Sequence, residues 1–288
     1  MLAGCSTAPR VEDTRWLSVA MDDGATGPAN AAAQEPQAPA KLEPYTNLYK
    51  TFSLGVGGAA YANFDTTLRV DSDALVGAVV DLEDTLGVDD TAAVLRVDAN
   101  YNFDHYHGIA VGYYDIRRSG RRTLAEDITF GDRTFAAGSS VDTEFNTKVL
   151  KLAYRYNFVA DYRTKIGASF GFHTMEIQTS LTAATLSVDE SFRATVPLPV
   201  LGLYWEYSLA QSWKLLSSVE VLQLDIGYAR GYLSDTRLSI ENDLFEHVGW
   251  GVGYNGFKLD ATVEGEDHLT GRVQYDFQGL MLFVRCYF

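Results

Sequence analysis

Apolar and polar residues alternate with period two from Tyr45 to the end of the chain, no run of about 18 apolar residues occurs, and aromatic rings gather beside the short turns. These observations predict an all-β fold, a transmembrane antiparallel up-and-down β-barrel of ten strands, within a range of eight to twelve, preceded by a disordered linker. With 288 residues, 47% hydrophobic and 21% charged, the chain has the composition of a folded protein. Its 38 acidic residues outnumber 23 Lys and Arg, which argues against nucleic acid as a partner because phosphate binding needs clustered positive charge.

The first element spans residues 1–44. From Ser6 to Pro44 it is rich in Ala, Pro, Gly and Gln without apolar periodicity, and reads as a flexible, mostly disordered linker. Within it, Thr14 to Met21 carries enough apolar residues to dock on a surface, so residues 6–44 offer a contact for a protein partner. Leu2-Ala3-Gly4-Cys5 resembles a bacterial lipobox, which implies lipidation of Cys5. Ser6 after the cysteine implies transport to the outer membrane.

The second element, 45–288, divides into strands near 51–70, 92–103, 107–119, 142–158, 164–179, 191–208, 213–226, 231–244, 248–262 and 268–288. Each has one greasy and one charged face. Leu95, Val97, Ala99, Tyr101 and Phe103 oppose Arg96 and Asp98. Leu150, Leu152, Tyr154, Tyr156 and Phe158 oppose Lys151 and Arg155, and Leu280, Leu282, Val284, Cys286 and Phe288 oppose Arg285. Short turns alternate with long polar connections around 71–91, 119–141 and 180–190. Residues 75–88 could supply a further strand or hairpin.

Alternation also fits a soluble sandwich or lipocalin-like barrel with the greasy face inward. The rings decide against it. Tyr101, Phe103, Tyr154, Tyr156, Phe158, Trp205, Tyr207, Trp213, Phe245, Trp250 and Phe288 lie at strand ends next to the short turns, as a headgroup-level girdle requires and a core does not. About ten residues at about 3.3 Å each, tilted by about 45°, cover roughly 23 Å of hydrocarbon. In lipid every backbone N–H and C=O must be paired, so the first and last strands must meet.

On these residues the segment 45–288 resembles the bacterial outer-membrane β-barrel proteins. The resemblance implies contact with outer-membrane lipids and lipopolysaccharide, with the linker and C-terminus on the periplasmic side. It also implies that Leu280, Leu282, Val284 and Phe288 form the signal read by the barrel-assembly machinery. Cys286 departs from that signature, where an aromatic is more usual.

The charged face then lines the lumen: Arg96, Asp98, Lys151, Arg155, His173, Glu206, Glu220, Arg237, Glu241 and Arg285. In a narrow barrel these groups are expected to pair, giving a largely plugged interior and a non-enzymatic structural, accessory or surface-interaction protein. The alternatives are a narrow passive channel for small polar solutes and an outer-membrane enzyme, a protease or lipid A-modifying protein, for which only His173 and His268 are suitably placed. No cofactor and no metal are expected. Asp81–Asp90 lacks the EF-hand glycine and closing Glu, and reads as a solvated acidic loop. The two imidazoles of His105 and His107 do not make a tetrahedral site.

Overall fold

The computed structural model describes residues 46–71, 79–130, 133–183, 188–225, 229–264 and 270–288. Cys5, the linker 6–44 and His268 lie outside them. A short 3-10 turn, Thr46–Tyr49, precedes thirteen strands: β1 (Phe52–Asp71), β2 (Val80–Asp81), β3 (Ala92–Asn102), β4 (His107–Thr123), β5 (Ile128–Phe130), β6 (Arg133–Phe135) and β7 (Ser140–Ala160), then β8 (Thr164–Ala183), β9 (Val188–Ser208), β10 (Trp213–Asp225), β11 (Ala229–Phe245), β12 (Val248–Glu264) and β13 (Thr270–Tyr287). Ten of these, β1, β3, β4 and β7 to β13, pair antiparallel with their neighbours. The barrel closes where β1 meets β13, from Ser53↔Tyr287 to Asp71↔Thr270. Phe52 and Phe288 exchange both backbone hydrogen bonds, at 3.2 and 2.8 Å, so the chain ends inside the seam. The seam carries one bulge between Ala62 and Asp65. Asn63 there takes φ 54°, a left-handed conformation that Asn tolerates better than most residues.

Several strands reach 17 to 21 residues, longer than membrane crossing needs. The connection expected at 180–190 is therefore mostly strand. Residues near 119–141 run as β4, the β5–β6 hairpin and the start of β7. Strand β3 is short, and the part of 75–88 that is described does not add a wall strand beside it. Instead β2 pairs with β1 (Thr67↔Asp81, Leu68↔Val80), while Val88 bridges to Gly120 of β4. Residues 80–90 thus patch the wall above β3.

The outward residues change character along each strand. Next to the short turns they are apolar and exposed, including Leu95, Leu150, Leu203, Leu238 and Leu282. The stripe from Leu280 to Phe288 covers roughly 20 Å of height at about 3.3 Å per residue and a tilt near 40°, close to the lipid-facing band of such barrels, about 25 Å. Tyr101, Phe103, Tyr154, Tyr156, Phe158, Trp205, Trp213, Phe245 and Phe288 form the expected girdle at one edge. A second row, Tyr113, Phe172 and Tyr254, marks the other edge. Beyond it the outer face is charged, with cross-strand pairs such as Lys258–Asp276 (2.9 Å) and Arg272–Asp260 (3.2 Å).

The interior reverses with it. Where the outside is polar, the inside is an apolar core built on Phe64, Leu68, Ile116, Phe145, Phe257, Tyr275 and Phe277, sealed by Ile128, Phe130 and Phe135 of the β5–β6 hairpin. The charged lumen residues therefore lie in the half wrapped by lipid, and the other half is mainly apolar, with Arg118 and Glu83 as its buried ion pair. Phe257 stacks on Phe277 (4.9 Å), and Tyr61 meets Phe277 edge-on (4.7 Å), where the two zones meet.

Candidate functional site

The lipid-wrapped half of the lumen gathers all ten side chains expected there, in groups of paired charges. Asp98 on β3 accepts from Arg96 on its own strand (3.1 Å) and from Arg237 of β11 (3.2 Å). Lys151 of β7 reaches across to Glu220 of β10 (3.2 Å) and to Asp235 of β11. His173 of β8 meets Glu220 through Nε2 at 2.9 Å. Arg155 pairs with Glu206 and lies over the Tyr204 ring at 3.8 Å. Arg285 of β13 forms an ion pair with Glu241 (2.8 Å).

Sequence reasoning missed several members. Asp235 stands two residues before Arg237 and so on the same face; that parity was the available signal. Lys214 donates to Tyr287 (2.5 Å) and pairs with Asp243 (3.0 Å). Asn255, with no exposed surface, donates to Asp235 Oδ1 (2.7 Å) and accepts from Tyr61 (3.0 Å), tying the charges to the aromatic layer. Lys165 is 3% exposed and shares the inward parity of Ser169 and His173 on β8, the same signal.

Glycine makes room for this packing at two places. A Cβ on Gly251 would collide with the Phe283 ring and crowd Glu241. One on Gly167 would strike the Tyr204 hydroxyl and the Tyr156 carbonyl.

His173, Glu220 and Asp235 lie close enough to share a metal ion. The Lys151 ammonium already bridges the two carboxylates, so the arrangement is a compensated ion cluster. The polar zone encloses a cavity of about 180 Å³. Its floor is the turn Thr46–Tyr49: Leu48 is buried beneath the lumen, its carbonyl accepts from Lys165, and the Tyr49 ring lies 4.4 Å from the same ammonium. Tyr49 donates to the Asp161 carbonyl. Burial, with Asp161 and Glu206 near, pushes its phenol up to about 12.

The acidic segment 81–90 is not a solvated loop. Leu82, Leu86 and Val88 are buried, and Glu83 accepts from the Thr66 amide (2.9 Å) and from Arg118. Arg118 sits inside the apolar core with its guanidinium 4.1 Å from the centre of the Phe64 ring and 2.7 Å from Thr66 Oγ1. Leu280, Leu282, Val284 and Phe288 face outward and are exposed, and Cys286 shares their row.

Closure, two aromatic rows, an outward apolar band and a lumen of paired charges define a transmembrane β-barrel. Its fold is that of the bacterial outer-membrane β-barrel proteins. The structure is similar to the outer-membrane protease OmpT of Escherichia coli, with a TM-score of 0.53 at 8% identity over 84% of this chain and 98% of that one. Weaker similarity is found to OprG of Pseudomonas aeruginosa (TM-score 0.37, 12% identity, 83% of this chain and 97% of that one). Ail of Yersinia pestis, solved with the heparin analogue sucrose octasulfate, gives a TM-score of 0.34 at 11% identity over 80% of this chain and 97% of that one. No protein-family model and no curated protein sequence matches the chain.

Proposed function

We propose that this protein is a non-enzymatic barrel of the bacterial outer membrane, serving the envelope as a structural, accessory or surface-interaction element. The observation that carries this reading is the layer of buried rings, Tyr61, Phe257 and Phe277, against which the polar zone of the lumen ends. A conduit for polar solutes needs a continuous wet path, and burying an unpaired charge in that layer would cost several kcal/mol.

The enzyme reading draws support from the likeness to the Escherichia coli protease, and a likeness at 8% identity concerns the fold. His173 is 1% exposed and bonded to Glu220, out of reach of substrate. Among the described residues, His107 meets Tyr154 and His247 meets the Tyr287 carbonyl (3.0 Å); neither bonds a carboxylate.

On this reading the short turns and the 6–44 linker face the periplasm, where the linker contacts a protein partner and Cys5 carries a lipid. Leu280, Leu282, Val284 and Phe288 address the chain to the barrel-assembly machinery, and the charged outer rim meets lipopolysaccharide. Conductance of the reconstituted protein in planar bilayers tests the central claim. Silence is expected, and reproducible stepwise currents would overturn it.

A further inference from the structure

The chain as a whole carries a formal charge of -15, yet eight Lys or Arg side chains line the lumen cavity against five Asp or Glu, and with Asp243 and Glu246, which pair with Lys214 and Lys50 from its margin, the cations still exceed the acids by one. The excess has identifiable sources. Asp98 serves both Arg96 and Arg237, so one acid answers two cations. Lys165 has no carboxylate within ion-pairing distance among the described residues: its buried ammonium is held by the Leu48 carbonyl and the Tyr49 ring. Dipoles and ring faces stabilise a buried cation less than a formal anion does. The cavity of about 180 Å³ holds several water molecules, and therefore a small oxyanion.

What covers Lys165 is held, among the described residues, by side-chain contacts and not by the strand ladder. The turn Thr46–Tyr49 pairs with no strand. Besides the Lys165 bond, it and the following residue are held by Tyr49 on the Asp161 carbonyl, by the Tyr49 ring against His105 (4.7 Å), by the buried Leu48 side chain, by Asn102 Nδ2 on the Lys50 carbonyl (2.7 Å), and by a Lys50–Glu246 contact of 4.0 Å. Each can be released without breaking the wall.

We propose that the lumen is a blind pocket for a small oxyanion, phosphate or a dicarboxylate, with Lys165 as its primary ligand and the segment Leu48–Lys50 as a stopper that must withdraw to admit it. The pocket rests on the closed lumen proposed above, because a through-pore would not retain the ion. Anion and stopper compete for one ammonium. Anion binding therefore favours the withdrawn stopper, and by linkage a stopper that is weakened binds anion more tightly.

The test titrates the detergent-solubilised full chain with inorganic phosphate and, in a separate arm, with succinate, by isothermal calorimetry at constant ionic strength. The Leu48→Ser/Tyr49→Ala variant, shown to be assembled by its heat-modifiable gel mobility, is expected to bind at least one of the two at least tenfold more tightly than the wild type. Adding Lys165→Gln is expected to abolish that gain. Equal affinity in variant and wild type, or affinity untouched by Lys165→Gln, would overturn the proposal. Should the double variant fail to assemble, the wild type carries the test alone. Phosphate or succinate, but not an equal ionic strength of sodium chloride, is expected to accelerate tryptic cleavage after Lys50, and unchanged cleavage with both sinks the idea. In planar bilayers the opened variant is expected to stay silent. Stepwise current there would refute the plugged-barrel reading through its aromatic layer, independently of whether the oxyanion binds.

Discussion

Replacing Lys151 by methionine removes the cation that holds two carboxylates together at mid-lumen. Asp235 is 3% exposed and Glu220 18% exposed, so water replaces little of what the ammonium supplies. At an effective dielectric of about 20, unit charges about 4 Å apart interact by about 4 kcal/mol, and losing one partner of a buried pair costs about 3–5 kcal/mol. A loss of about 3–5 kcal/mol is therefore expected for Lys151→Met, measured as urea unfolding in detergent followed by tryptophan fluorescence. Adding Asp235→Asn leaves Glu220 with His173 at 2.9 Å and removes the unanswered charge, so the double variant is expected to regain about half of the loss or more. A loss below about 1 kcal/mol for the single variant, or a double variant no more stable than it, would refute the view that the lumen is held by charge compensation.

Three further outcomes follow from other parts of the barrel. Arg118→Met leaves Glu83 with only the Thr66 amide, and is expected to cost about 3–5 kcal/mol and speed amide exchange across residues 80–90; Glu83→Gln in that background should restore part of it. Gly251→Val drives a side chain into the Phe283 ring, which lies 5.4 Å from the Arg237 guanidinium, and overpacking of this kind costs about 1–3 kcal/mol by the same urea assay. Asp104 closes the β3–β4 turn by accepting from the Tyr106 and His107 amides (2.6 and 2.7 Å), and these bonds hold its carboxyl below the usual range. With the folded value depressed, this contribution is complete above the ordinary carboxylate pKa and fades as pH falls through the lowered one; exchange at the Tyr106 and His107 amides should rise on acidification and be pH-insensitive beyond its intrinsic rate in Asp104→Asn.

Strand existence and facing were legible because a two-residue period cannot be satisfied with the wrong face in lipid. The height at which each strand leaves the membrane was legible too, although harder to notice. In β13 the outward row runs Arg272, Gln274, Asp276 and Gln278 before Gly279 and Leu280, Leu282 and Val284 after it, while Val273, Tyr275, Phe277, Met281 and Phe283 fill the inward row; the greasiness of the outer face changes at the glycine while the strand continues. The same change separates Met175 and Ile177 from Phe170 and Phe172 in β8, and Phe257 and Leu259 from Val252 and Tyr254 in β12. Counting carboxylates in 81–90 concealed Leu82, Leu86 and Val88, whose burial depends on a gap above β3 that only the register reveals. Contacts such as Lys151 with Asp235, which join β7 to β11 across the lumen, follow from closure and shear, and no local pattern contains them.

The change in the outer face also divides what stabilises the barrel. In the half beyond the apolar band, water lies outside and the interior rings are buried from it, so hydrophobic burial acts there as it does in a soluble protein. In the half within lipid, the outward leucines have an apolar solvent on one side in any inserted state, and moving them from lipid to lipid gains little. Inward packing, backbone closure and ion compensation must hold that half instead. The two halves should therefore respond oppositely to conditions. Raising ionic strength weakens only those pairs that water can reach, chiefly the outer-rim bridges such as Arg272–Asp260, and leaves Lys151–Asp235 nearly unaffected. Urea, which solvates apolar groups exposed to water, acts first on the core around Phe145, Phe257 and Tyr275. An unfolding intermediate with that core loosened and the lumen pairs intact is the expected consequence. Amide exchange in partial denaturant, fast above Gly279 and slow below it on the same strand, is its signature; uniform exchange along β13 would contradict the division.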